Sequence, residues 1–199
     1  MTAASAFPII GLTGAVAAGK SEALAALARL GAETLSADAV VHELLGTERV
    51  RDLLVRRWGE EVAPDGHIDR ARVGAIVFER PDELAWLEQA LHPLVAERMA
   101  AWRKGLPEDT GAAVVEVPLL FETGLEDAFD ATIAVIAEDR TRAERAGARG
   151  TAELEGRERR QLSQEEKAAR ATHVVANDGT LAELEAGLAE VLERIEGRG

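Results

Sequence analysis

The residues best suited to chemistry lie near the start of the chain. Gly14-Ala15-Val16-Ala17-Ala18-Gly19-Lys20-Ser21 sets two glycines on either side of four residues and follows them with Lys and Ser, the spacing of a phosphate-binding loop. Backbone N–H groups of such a loop converge on an anion, and the helix starting near Lys20 adds roughly half a positive charge at its end. Gly14 and Gly19 permit the backbone angles this needs. Lys20 would reach the β- and γ-phosphates of ATP, and the Ser21 hydroxyl would ligate the Mg²⁺ that bridges them. Glu22 suits the helix dipole but brings a carboxylate toward the triphosphate, which predicts weakened nucleotide affinity. Without a ligand the stretch reads as a tight glycine turn with a surface lysine. Its place between an apolar strand and a helix start favours nucleotide binding.

A donor site does not name a reaction, so a group that positions a nucleophile is needed. Leu35-Ser36-Ala37-Asp38 puts a carboxylate at the carboxyl end of a predicted strand, the sheet edge that carries the phosphate loop. Asp38 there could orient an attacking hydroxyl and accept its proton, or simply cap the following helix. A second candidate is the basic stretch Arg140–Arg170, with eight Arg and one Lys against six Glu: a net +3, so the other residues carry −16 of the −13 total. By charge alone it is either a solvated helix laced with pairs such as Glu155–Arg159 or an anion site.

Alternating strand and helix signals supply the frame for these groups. Apolar patterning predicts strands at Phe7–Leu12, Glu33–Ser36, Ala112–Val117, Ala131–Ile136 and His173–Val175. Helices are expected at Ser21–Leu30, around Val40–Leu45 up to Gly46, and at Leu181–Ile195. Between about Thr47 and Gly105 only helices are expected, at Val50–Trp58, Ala71–Phe78 and Pro81–Arg103, with Pro93 threatening a kink. This pattern predicts an α/β, three-layer domain with a five-stranded parallel sheet and ligands at the carboxyl ends of its strands.

Composition narrows the function classes. The 199 residues are 47% hydrophobic and 30% charged, ordinary globular usage that argues against disorder. A net charge of −13 argues against a nucleic-acid-binding surface, which needs a broad basic face. The apolar stretch near the N-terminus is too short for a membrane span and lacks a signal peptide's basic start, and there is no Cys, so a cytoplasmic protein is expected.

The motifs together resemble the bacterial dephospho-coenzyme A kinase family along nearly the whole chain. The resemblance rests on Ile10-Gly11-Leu12-Thr13-Gly14 leading into Gly19-Lys20-Ser21, on Ser36-Ala37-Asp38, on Leu91-His92-Pro93, and on Val117-Pro118-Leu119-Leu120-Phe121-Glu122. It continues through Arg145-Ala146-Gly147-Ala148-Arg149-Gly150 and Gln161 with Glu165-Glu166-Lys167, before Asn177-Asp178-Gly179. It implies a P-loop kinase fold and transfer of the ATP γ-phosphoryl group to the ribose 3′-hydroxyl of dephospho-coenzyme A. The core would be residues 1–46, 106–139 and 171–199, with a helical acceptor-binding insertion at 47–105 and an arginine-rich lid at 140–170.

Asp38 matches the family's catalytic aspartate. Arg145 and Arg149, four apart on one helical face, match lid residues that meet transition-state charge. Further implied are Asn177 and Gly179 against the adenine, with His92 and the wall Pro118, Leu119, Leu120, Phe121 and Glu122 at the acceptor. By its residues alone His92 reads more readily as a structural residue in a helix bend, and Pro118 also as a strand terminator. The expected partner is the small-molecule acceptor, with no nucleic acid or membrane, and the chain is taken to be a monomer.

The chain departs from the family pattern in having Ala15 and Ala17 where Gly is usual, Glu22 where Thr is common, a lid about one residue shorter, and Thr172 where Asp is frequent. The rivals are a kinase acting on a nucleoside or nucleoside monophosphate, and a nucleotide-dependent switch; the Asn-Lys-x-Asp element of guanine-specific switches is absent.

Overall fold

The computed structural model describes residues 7–147 and 161–197. The chain divides into two compact units, Met1–Ser36 with Leu106–Gly199, and Ala37–Gly105.

The first unit is built on five strands: β1 (Ile9–Gly14), β2 (Glu33–Ser36), β3 (Ala113–Glu116), β4 (Ala131–Ile136) and β5 (His173–Ala176). All pair in parallel, in the order β2-β3-β1-β4-β5, so every carboxyl end lies along one edge and β1 is central. The central strands are buried, β1 and β3 throughout and β4 up to its last residue, as expected for parallel strands covered on both faces. β1 begins later than its apolar run and continues to Gly14, because β4 pairs with it there, Gly14 opposite Val135.

Alternation along β1 sends Ile10 and Leu12 to one face. There they pack with Ala23, Ala26 and Leu27 of α1 (Lys20–Arg29). Leu184, Leu188 and Val191 join the same core from the C-terminal helix (Leu181–Glu196). Each fully buried Leu or Ile contributes about 2 kcal/mol there. On the opposite face a side chain at Gly11 would meet Leu120 and Phe129, so the sheet is covered on both sides. Two local signals fix the helices that border the site. Ser163 and Glu166 form a capping box on the short helix Gln164–Arg170, and Thr180 and Glu183 form another on the C-terminal helix.

The second unit holds four helices: α2 (Ala37–Leu45), α3 (Glu48–Trp58), α4 (Arg70–Glu79) and α5 (Pro81–Lys104). It therefore takes in α2 as well as residues 47–105. Val50, Leu54, Val62, Val73, Leu91 and Leu94 form its core, with Val41, Leu44 and Leu45 of α2 against it. α5 runs through Pro93 as one helix. Arg57 grips Glu83 with two hydrogen bonds of 2.9 Å, and the Trp58 indole donates to the same carboxylate at 2.8 Å. These donors, Arg57 first and Trp58 next, hold the Glu83 carboxyl below its ordinary pKa.

Among the described residues, the helices after β4 are α6 (Asp139–Gly147), α7 (Gln164–Arg170) and α8 (Leu181–Glu196).

Candidate active site

The loop 15–19 leaves the central strand at its carboxyl end and feeds α1, where the dipole favours an anion. Two glycines are dictated by their surroundings. A side chain on Gly14 would come within 2.5 Å of the Val135 carbonyl oxygen. Gly19 sits at φ 96°, and a Cβ there would lie 2.0 Å from Asn177 Nδ2. Ala17 also adopts positive φ, at 61°, without being glycine. For an L-residue with a Cβ this costs about 1 kcal/mol, so surrounding contacts must hold it.

The loop carbonyls show how it is held. Lys20 Nζ donates to Gly14 O at 3.1 Å and to Ala15 O at 3.0 Å. Arg142 Nε donates to Val16 O at 3.1 Å. Asn177 Nδ2 donates to Ala18 O at 2.9 Å, joined by Arg145 Nη1 at 3.5 Å. A trans peptide carries its C=O and N–H on opposite sides, so carbonyls held this way aim the N–H groups of Ala15, Val16, Ala17 and Gly19 away from those donors. Amides released in this way can take the oxygens of an anion, whereas the Ala18 N–H is spent on Ala15 O at 3.2 Å.

Ser21 and Glu22 are exposed in the first turn of α1. Among the described residues no group of three or more His, Asp or Glu side chains could hold a metal ion. A single hydroxyl, Ser21, suits Mg²⁺, which takes most of its ligands from phosphate and water.

The structure brings Asn177 and Arg145 to the loop itself. Asn177 is buried, and its own N–H donates to Ile136 O at 2.8 Å. Gly179 precedes the capping box of α8. Arg149 lies outside the described residues, as do Ala148 and Gly150.

The segment after β3 is tied to α7. Lys167 is fully buried, its Nζ 2.7 Å from Pro118 O and 2.9 Å from Glu122 Oε1. Burial pushes the Lys167 pKa down, and the Glu122 carboxylate opposes that shift. The same Glu122 oxygen accepts the Leu162 N–H at 2.8 Å, and Gln164 Oε1 accepts the Ala137 N–H at 2.8 Å. Leu120 and Phe121 are core residues, whereas Pro118 and Leu119 are half-buried. Glu116 is buried at the end of β3, in register with Leu12 and Ser36.

In the second unit Asp38 is exposed inside the first turn of α2, past the cap position, two residues beyond the end of β2. His92 is exposed on α5. A cleft of about 240 Å³ in this unit is lined by His42, Thr47, Arg51, His67 and Arg70, among others. Sequence reasoning passed over Arg142 and Lys167 as site residues. The one available signal for Arg142 was its spacing, three before Arg145 and so on the same face of α6; nothing in the sequence marked Lys167 as buried.

A parallel sheet whose central strand ends in a carbonyl-pinned Gly-Lys-Ser loop, followed by an arginine-bearing helix that touches the loop, defines the class of P-loop kinases. Within that class, this chain belongs to the dephospho-CoA kinase family, whose sequence model matches residues 8–183. A dephospho-CoA kinase of Thermobifida fusca is 38% identical over 194 residues, spanning 95% of this chain and 96% of the relative. A Thermus thermophilus protein of known crystal structure is 35% identical with a TM-score of 0.82, over 95% of this chain and 98% of that one. The dephospho-CoA kinase from Campylobacter jejuni shares the fold, with a TM-score of 0.65 at 22% identity, over 96% of this chain and 98% of that one.

Proposed function

We propose that this kinase transfers the γ-phosphoryl group of ATP to the ribose 3′-hydroxyl of dephospho-CoA, giving CoA and ADP. The observation that carries the reading is the loop whose carbonyls accept from Lys20, Arg142, Asn177 and Arg145, which leaves the N–H groups of Ala15, Val16, Ala17 and Gly19 for a polyphosphate. Phosphoryl transfer asks little covalent chemistry of a protein; alignment and charge neutralisation lower the barrier.

In this reading residues Gly14–Glu22 bind the nucleotide, and Lys20 leaves its loop carbonyls for the β- and γ-phosphate oxygens. Bound Mg²⁺, with Ser21 as its protein ligand, would neutralise phosphate charge. Asp38 accepts the proton of the attacking hydroxyl late in the transfer. Arg145 and Arg149 meet the charge on the equatorial oxygens, with residues 140–170 as the lid that carries them. Asn177 and Gly179 flank the adenine end.

In the helical unit His92 is assigned to the acceptor, and so, in the other unit, are residues 118–122. The cleft lined by His42, Arg51, His67 and Arg70 suits the acceptor's anionic diphosphate arm. A cytoplasmic, monomeric enzyme belongs to the same proposal. No helix among the described residues is long and apolar enough to cross a membrane.

The test is acceptor-dependent ADP release with Mg²⁺-ATP. Turnover is expected with dephospho-CoA, with the product gaining one phosphoryl group at the 3′ position, and none is expected with AMP or a nucleoside. The reverse preference would reassign the enzyme to a nucleoside or nucleotide acceptor.

A further inference from the structure

The phosphate loop of this chain has no glycine between Gly14 and Gly19, yet Ala17 stands at φ 61°, a conformation that side chains rarely adopt. A turn closes around it, the Ala18 N–H donating to Ala15 O at 3.2 Å, so the Val16–Ala17 peptide is the turn's central plane. Of the four loop carbonyls with side-chain donors, those of Gly14 and Ala15 accept from Lys20, which belongs to the same loop and is needed by a bound phosphate. The carbonyl of Ala18 is held by buried Asn177. That leaves the Val16–Ala17 peptide, the one entering the strained residue, and its carbonyl accepts Arg142 Nε at 3.1 Å.

Arg142 is placed for this contact. Its side chain is only 20% exposed, and its Nη1 is braced by Asp139 Oδ1 at 3.1 Å, one turn earlier on α6. Arg145 lies three residues further along the same helix face and reaches Ala18 O.

We propose that Arg142 is a positioning residue of the nucleotide site: by holding the Val16 carbonyl it keeps the Val16–Ala17 peptide plane turned so that the Ala17 N–H serves the bound phosphates. Val16 C=O and Ala17 N–H belong to one trans peptide, so fixing the first aims the second. The role is exercised through the loop and needs no contact with the nucleotide. It rests on the nucleotide-binding reading of the loop.

Two features separate this role from general support of the fold. The glutamine side-chain nitrogen sits the same number of bonds from the backbone as Arg Nε, so Arg142→Gln offers a donor at the same place without the charge. Arg142→Met keeps the length and offers none. Ala17→Gly removes the conformational strain that makes the tether necessary.

The experiment is calorimetric titration of the full chain with ADP and Mg²⁺, with melting curves for every variant. Arg142→Met is expected to weaken ADP binding about tenfold, the loss of one charge-assisted hydrogen bond that aims a binding group. Arg142→Gln is expected to stay within about threefold of the unaltered chain. In an Ala17→Gly background, the same Met substitution is expected to lose less than about threefold.

Equal affinity of Arg142→Met and the unaltered chain would overturn the proposal. So would Arg142→Gln losing as much as Met, or a Met effect of the same size in both backgrounds. If Arg142→Met does not fold, the comparison of Arg142→Gln with the unaltered chain still decides whether a neutral donor suffices. Absence of ADP binding by the unaltered chain would remove the nucleotide reading itself, and this proposal with it.

Discussion

At the scale of single residues, the groups that shape the loop differ in kind from the proposed base. Lys20, Arg142, Arg145 and Asn177 all spend donors on loop carbonyls, whereas Asp38 is an exposed carboxylate in a first helical turn. Asp38→Asn keeps size and polarity but cannot accept a proton. It should lower kcat by about 10²-fold or more while leaving ADP affinity nearly unchanged, since proton transfer by a positioned group contributes 10²–10⁴-fold. Steady-state rates beside a binding titration check this, and a kcat equal to that of the unaltered enzyme would assign the base elsewhere. Lys20 and Ser21 stand out in the sequence by their spacing in the loop, whereas spacing left Asp38 equally a helix cap and only the family resemblance singled it out. Arg142 offered only its helical spacing from Arg145 and Lys167 no mark of burial, because their partners, Val16 and Glu122, are distant in the chain.

At the scale of elements, apolar patterning placed the five strands and the helices outside residues 139–170. The capping boxes at Ser163 and Thr180 are legible as Ser/Thr followed three residues later by Glu. The end of β1 was less legible, since Thr13 and Gly14 join the strand through pairing with β4 rather than through their own propensity.

In the helical unit one buried carboxylate ties α5 to α3, Glu83 receiving Arg57 and Trp58. Its pKa is lowered in the folded state by those donors, Arg57 first. The stability it contributes is therefore present above the ordinary glutamate value, and is lost as pH falls through the lower, folded value. Melting temperature should drop more steeply on acidification below about pH 4.5 for the unaltered chain than for Glu83→Gln. Parallel pH profiles of the two proteins would show a misassignment of this carboxylate.

At the scale of the whole molecule, charge is the dominant general property. With a net charge of −13 the chain repels itself when compact, and salt screens that repulsion over about 8 Å at physiological ionic strength. Melting temperature should rise by a few degrees between low salt and 0.5 M NaCl; a fall would mean that the attractive pairs, such as Arg98 with Glu43 at 2.8 Å, outweigh the repulsion. The sequence by itself determined the phosphate loop, the alternation of strands and helices, the helical insertion and the family, because each is written in short-range spacing and apolar period. Only the tertiary structure decided the strand order, the burial of Lys167 against Glu122 and Pro118, and the tethers on the loop carbonyls. Those depend on which distant segments share the sheet edge, and a hydrogen bond between residues more than a hundred positions apart leaves no periodic mark in the chain.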